Sequence, residues 1–253
     1  IYLRADRQPE FTQLDVEMSF VESEDILQLI DGLMAKLARE ILDMDLQLPL
    51  PRMTYDEAMR RFGHDAPDLR FGMEIVDLTG FAKNVGFKVF SGPANSGEHV
   101  RGLNAVGAAE KYSRRNIDEL TEYVKADFGA KGLVWFKVDA EGQLVSPSAK
   151  NFTPEEQSQI ISRMDASPGD LLLFLADSWE NTCRGLYGLR KRLGAELELY
   201  DPKQMHFSWI VEFPMFDWDE DEQRWNAMHH PFTAPRVRSE EHTSELQSRQ
   251  YLV

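Results

Sequence analysis

The 253-residue chain contains a single cysteine, Cys183. It can form no internal disulfide, so stability must come from a packed core, and a reducing cytoplasm suits the chain. Cys183 falls within a predicted helix and reads as a packing residue. Long apolar runs are also missing. Nothing approaches the about 20 residues needed to span a bilayer, and the amino end does not resemble a signal peptide, so no membrane association is expected. Positive charge is scarce: 28 Lys and Arg against 43 Asp and Glu give a net charge of −15. A protein that coats nucleic acid needs a basic face to release counterions from phosphates, and this balance excludes that class. Any contact with RNA must use a few local arginines, with modest, salt-sensitive affinity.

What is present describes a globular α+β protein of one large or two small domains, with 42% hydrophobic and 28% charged residues. Ser23 is placed to cap a helix to about Asp43, in which Ile26, Leu29, Ile30, Leu33, Leu37 and Ile41 make one apolar stripe. Residues 47–53 carry two prolines and read as a connector. Thr54 and Glu57 suggest a capping box for a short helix ended by Gly63. From about Arg70 to Asp201 strands and helices interleave. Strands are expected at Phe87–Phe90, Leu133–Val138 and Leu171–Leu175. Helices are expected at about Ser113–Phe128, Thr153–Met164 and Ser178–Leu193. Turns are expected at Ser91–Pro93 and Gly129–Gly132. A further strand is expected around Trp209–Phe213.

The segment from Phe11 to Phe20 alternates. Phe11, Gln13, Asp15 and Glu17 fall on one side of an expected strand, and Thr12, Leu14, Val16, Met18 and Phe20 on the other. The residues alone fit an ordinary half-buried strand with a solvated polar face. A strand that lines a cleft for a polar ligand with a flat base is the second reading.

The run Leu3-Arg-Ala-Asp-Arg-Gln-Pro-Glu-Phe-Thr-Gln-Leu-Asp15 resembles motif 2 of class II aminoacyl-tRNA synthetases, in the form of the bacterial-type aspartyl enzymes. The resemblance continues, in order, through Pro67–Arg70, Gly92–Ala94, Gly129–Leu133, Trp209–Phe216 and Ala227–Thr233, and covers about residues 3–236. It implies a partial class II antiparallel-sheet catalytic domain at residues 1–69 and again at 206–236. An inserted α+β domain of the GAD type would interrupt it at residues 70–205. Residues 237–253 read like translated sequencing adapter and are expected to be a non-native tail, and the chain reads as a fragment cut at both ends.

The implied activity is ATP-dependent activation of L-aspartate, with Mg²⁺ on the triphosphate, followed by transfer to tRNA by a homodimeric parent enzyme. By the same resemblance, Phe11 would stack on adenine and Gln8 would contact ATP. Gln13 and Asp15 would meet the aspartate, with Asp15 pairing its ammonium group. Arg4 and Arg7 would meet the acceptor end of tRNA. His229 and His230 precede Pro-Phe-Thr, where one histidine recognises aspartate; His229 is the first choice and His230 the second. Adjacent histidines on an extended chain point to opposite faces, so a shared metal is disfavoured and any metal ligand stays unknown. His64, His99 and His206 read as surface or packing residues.

No residue of the chain matches the motif 2 and motif 3 arginines that act at the phosphates. The sequence therefore supplies no catalytic residue, and the isolated chain is expected to be inactive. Two alternatives stand beside this one: a non-catalytic synthetase-derived module for tRNA binding or interaction, and a synthetase for asparagine or lysine.

Overall fold

A computed structural model describes residues 10–219 and 222–228. The chain divides into two compact units, residues 1–51 and 52–253.

In the first unit, helix α1 (Ser23–Leu42) follows the predicted stripe. Its cap is Glu22 rather than Ser23. Glu22 and Asp25 satisfy each other's backbone reciprocally, the Glu22 amide donating to Asp25 at 2.8 Å. Asp43 ends the helix in the left-handed conformation. The connector then folds back on α1, where the buried Asp31 accepts the Leu50 amide at 3.1 Å. A buried carboxylate needs such donors to offset its desolvation.

The strand expected from Phe11 onward is not formed. Residues 11–18 have no ladder partner among the described residues, and both of the expected faces are exposed, from Phe11 and Asp15 to Leu14, Val16 and Met18. Alternation makes a sequence suitable for a strand, but a strand exists only when its amides and carbonyls find a neighbour.

The second unit begins with β1 (Arg52–Thr54) and α2 (Tyr55–Phe62). The Thr54 hydroxyl accepts the Glu57 amide at 3.2 Å, and Gly63, at φ +74°, closes the helix. There follow β2 (Val76–Asp77), α3 (Thr79–Ala82), α4 (Lys88–Asn95), β3 (His99–Ala105) and α5 (Arg114–Phe128). Next are β4 (Val134–Val138), β5 (Leu144–Val145), α6 (Pro154–Arg163), β6 (Leu171–Asp177) and α7 (Trp179–Glu196). The chain continues through β7 (Trp209–Val211), β8 (Phe216–Asp219) and β9 (Arg224–Ala227).

Strands β2 to β6 form one antiparallel sheet in the order β2-β3-β6-β4-β5. Helices cover both faces. Leu172 and Phe174 of β6 pack with Phe90, Phe136, Phe152 and Ile160. Leu171, Leu173 and Leu175 enter the opposite core with Ile117, Leu120, Leu186 and Leu189 from α5 and α7. Burial on both faces is why β6 reads as an unbroken apolar run rather than an alternating one.

The strand expected at Phe87–Phe90 is instead the start of α4. Phe90 and Ala94 are buried four residues apart while Val89 is exposed, which is helical spacing. Gly92 and Pro93, read as a turn, lie inside that two-turn helix, where Pro93 forgoes one amide donor. The helices expected near residues 113, 153 and 178 are present, with Ser113, Thr153 and Ser178 as caps.

Arginine–carboxylate pairs tie parts of this unit together and set its response to acid. Hydrogen bonds from Arg70 hold the Asp68 carboxyl below its ordinary range, with Nε at 2.9 Å and Nη2 at 2.7 Å. Arg61 does the same for Glu74, its Nε donating at 2.8 Å. At Glu196 burial pushes upward, but hydrogen bonds from Arg192 and Tyr112 outweigh it and the net displacement is downward. A carboxyl depressed in the folded state stabilises fully above its unfolded value and loses that contribution as pH falls through the folded one. The melting temperature is therefore expected to hold level from neutrality to about pH 5 and to fall below about pH 4. Arg61→Met should shallow that acid limb; melting curves across pH that keep the same slope in the variant would contradict the assignment.

Candidate functional site

Among the predicted site residues, Phe11, Gln13 and Asp15 lie within the described chain, in the first unit. All three are exposed, and no described residue hydrogen-bonds the Gln13 amide or the Asp15 carboxylate. Nothing among the described residues of the first unit encloses them. Arg4, Arg7, Gln8, His229, His230 and the segment 237–253 lie outside the described residues.

In the second unit, the approach to the histidine pair is well defined up to Met228. Strand β7 pairs in parallel with β1, Trp209 opposite Arg52 and Val211 opposite Thr54. The Tyr55 ring at the start of α2 packs on Phe213 with centroids 5.0 Å apart. Burial, with help from Asp217, pushes the Tyr55 hydroxyl up, so it stays a neutral packing group at physiological pH. The hairpin β8–β9 sets Trp218 opposite Trp225, the rings 5.4 Å apart and edge-on, and the Met228 amide donates to the Met215 carbonyl at 3.0 Å. Met215, Phe216 and Trp225 line an open apolar cleft of about 440 Å³. His229 is the next residue along the sequence after this hairpin.

The sheet body carries a second cleft of about 670 Å³, lined by Asp77, Phe81, Asn84, Glu156, Gln159 and Arg163 among others. Both carboxylates already serve the backbone: Asp77 accepts the Thr79 amide at 2.7 Å and Glu156 the Thr153 amide at 2.8 Å. Arg163 lies 5.6 Å from the Phe81 ring. No nucleophile stands beside a base there, and these groups cap helices and turns.

The segment Pro67–Arg70 also folds as a structural turn. Arg70 is held by Asp68 on one side and stacks 4.0 Å from the Tyr200 ring on the other. His64 stacks on Tyr187 at 4.2 Å, and its Nδ1 accepts the Ala66 amide at 2.9 Å, so it is a packing residue as expected. His99 packs edge-on against Trp179. Cys183 is buried, and burial pushes its thiol up, which keeps it protonated and inert.

Two residues that the sequence pattern does not single out are Arg101 and Arg190, both fully buried in the second unit. A lone arginine in an apolar strand or helix stripe is the only signal that could have found them. Among the described residues no group of three His, Cys, Asp or Glu is arranged to hold a metal ion. No described helix is long and apolar enough to cross a membrane.

The family described as "tRNA synthetases class II (D, K and N)" matches residues 2–252. The chain is 63% identical over 233 residues to an aspartate–tRNA(Asp/Asn) ligase of Rhodopirellula baltica, a match covering 92% of this chain and 39% of that protein. Ligases of the same name from Moorella thermoacetica and Anoxybacillus flavithermus are 54% and 51% identical, again over 92% of this chain. The chain spans about 39% of the length of these relatives.

Proposed function

The chain belongs to the class II tRNA synthetases of the D, K and N group, and we propose that the protein is an aspartate–tRNA ligase that charges both aspartate and asparagine tRNAs. The observation that carries this reading is the 63% identity, over 92% of the chain, to a ligase of that name. In the proposed reaction an aspartate carboxylate oxygen attacks the α-phosphorus of ATP. An O–P bond forms, the bond to the leaving pyrophosphate breaks, and aspartyl-adenylate results. The terminal ribose hydroxyl of tRNA then takes the aspartyl group and AMP leaves.

The substrate brings its own nucleophile, so the protein's contribution is positioning and charge stabilisation. Phe11 supplies a face for adenine and Gln8 an amide for ATP. Gln13 and Asp15 hold the aspartate ammonium end, His229, with His230 second, holds the other end, and Arg4 and Arg7 meet tRNA phosphates. Mg²⁺ bound with the ATP substrate would neutralise charge on the triphosphate. The working protein is a cytoplasmic homodimer.

The five-stranded body fits the role of an inserted GAD-type module over residues 70–205. The chain enters past β1 and leaves into β7, and these two strands are hydrogen-bonded neighbours. From β2 to α7 the chain builds one five-stranded sheet with a core on each face.

Charging assays with the protein of the full reading frame test the proposal. Both tRNAs should accept aspartate; a protein that charges neither would refute it, and one that charges only the aspartate tRNA would narrow it. The purified 253-residue chain should give no aspartate-dependent pyrophosphate exchange, because no residue in it matches the two phosphate-binding arginines. Measurable exchange by that chain would overturn this expectation.

A further inference from the structure

Arg101 and Arg190 are buried to the last atom, yet none of their hydrogen-bond partners is a carboxylate. Arg101, on β3, donates through Nη2 to the Met59 and Arg60 carbonyls at 3.2 and 2.6 Å, and through Nη1 to Cys183 Sγ at 3.0 Å. Its guanidinium lies 4.2 Å from the Trp179 ring. Arg190, on α7, donates to the Phe71, Gly72 and Met73 carbonyls at 2.8, 3.0 and 3.2 Å, and stacks 4.1 Å from Phe71. Burial pulls its pKa down to about 10, still far enough above neutrality to leave it charged.

The location of these carbonyls gives the arrangement its meaning. Met59 and Arg60 belong to the last turn of α2, whose carbonyls carry the negative end of the helix dipole; the Met59 carbonyl also accepts the Gly63 amide at 3.0 Å, which closes the helix. Phe71 to Met73 form the stretch that leads from α2 to β2. Two cations from the sheet body thus grip both ends of the connection between that body and α2. A planar five-donor fork is the side chain that can reach two or three carbonyls at once. Burying such a charge is costly and is sustained only by fixed geometry. At its other end, α2 holds Phe213 through Tyr55 and follows directly on β1, the partner of β7.

We propose that Arg101 and Arg190 are positioning residues: they lock α2 to the five-stranded body, so that the β1–β7 ribbon takes its place from that body. The inserted module is then a support for the amino-acid end of the site and not a mobile appendage. The exchange arm of the test is independent of the proposed activity; the kinetic arm rests on the reading of His229 as an aspartate contact.

Hydrogen exchange followed by mass spectrometry on the protein of the full reading frame decides the first arm. In the unsubstituted protein the amides closing α2 should exchange in the same slow class as the β3–β6 ladder. Arg101→Met keeps an apolar stem and removes the donors; it should speed exchange at residues 59–63 by about tenfold or more and leave β6 unchanged. Arg101→Lys should restore part of the protection. In the kinetic arm Arg101→Met should raise KM for aspartate by about fivefold or more while KM for ATP stays the same, since the ribbon leads to His229 and not to Phe11. Fast exchange of α2 in the unsubstituted protein, or an Arg101→Met variant with unchanged α2 protection, overturns the proposal. If the methionine variant does not fold, the unsubstituted exchange pattern and Arg190→Lys, expected to loosen residues 71–73 alone, carry the decision. His229→Ala separates the two readings. If it leaves KM for aspartate unchanged, the role given to His229 is wrong, while the joint stands or falls on exchange.

Discussion

Asp15→Asn in the protein of the full reading frame is expected to lower kcat/KM for aspartate by about 10²- to 10³-fold, equivalent to about 3–4 kcal/mol of lost transition-state binding. The substitution keeps size and shape and removes one negative charge, the charge proposed to pair with the substrate's ammonium. Desolvated by the bound substrate, such a pair gains more than it would in water. Asparagine also presents donors where the ammonium needs an acceptor, so the loss exceeds that of a neutral hydrogen bond. Because Asp15 is exposed and no described residue hydrogen-bonds its carboxylate, the melting temperature should stay within about 2 °C of the unsubstituted protein, as for surface changes away from packing. Steady-state pyrophosphate exchange, with aspartate and ATP varied in turn, checks the expectation. An unchanged kcat/KM for aspartate would remove Asp15 from the site, and a large loss of stability would assign it to the fold instead.

Gly63→Ala should destabilise the second unit by about 2–5 kcal/mol, because two terms add. Gly63 sits at φ +74°, where an L side chain is strained by about 1–2 kcal/mol. A Cβ there would also stand 2.5 Å from the Cys183 carbonyl oxygen and 3.1 Å from its Cα, both backbone atoms of α7 that no rotamer change can move. Relieving that overlap means shifting one helix against another, which costs about 1–3 kcal/mol. Gly129 is the internal control: it closes α5 at φ +70° with nothing within 4 Å of its Cβ position, so Gly129→Ala should show the backbone term alone. Urea unfolding of the two variants measures the difference. Equal midpoints would mean that the close approach of α2 and α7 at Gly63 is not a constraint.

The sheet body was legible wherever local chemistry and burial agree. Thr153-Pro-Glu-Glu and Ser113 announce α6 and α5 through their caps, and the apolar run from Leu171 announces β6 because both of its faces are covered. Strand β3 was not legible, for a reason visible in its residues. Arg101, Gly102 and Asn104 break its apolar pattern, and each serves a distant partner. Arg101 reaches the end of α2, Gly102 yields space to the Phe174 ring, and Asn104 donates to Asp170 at 3.0 Å. Phe87–Phe90 misled because two aromatics three apart fit a strand end and a helix face alike, and tertiary packing chose the helix. The segment from Phe11 onward shows the converse. Its alternation is clear, but its ladder partners are not among the described residues, so pattern alone did not produce a strand. For the candidate site, spacing identified Phe11, Gln13 and Asp15 as one set, while their assignment to adenine and aspartate came from the family resemblance.

The most direct test of the proposed activity is amino-acid-dependent ATP–pyrophosphate exchange by the protein of the full reading frame, run in parallel with aspartate, asparagine and lysine. Exchange is expected with aspartate and none above background with the other two, because in the proposed site the histidine after the β8–β9 hairpin would read the side-chain carboxylate that only aspartate carries. Exchange driven by asparagine or lysine in place of aspartate, or no exchange with any of the three, would contradict it.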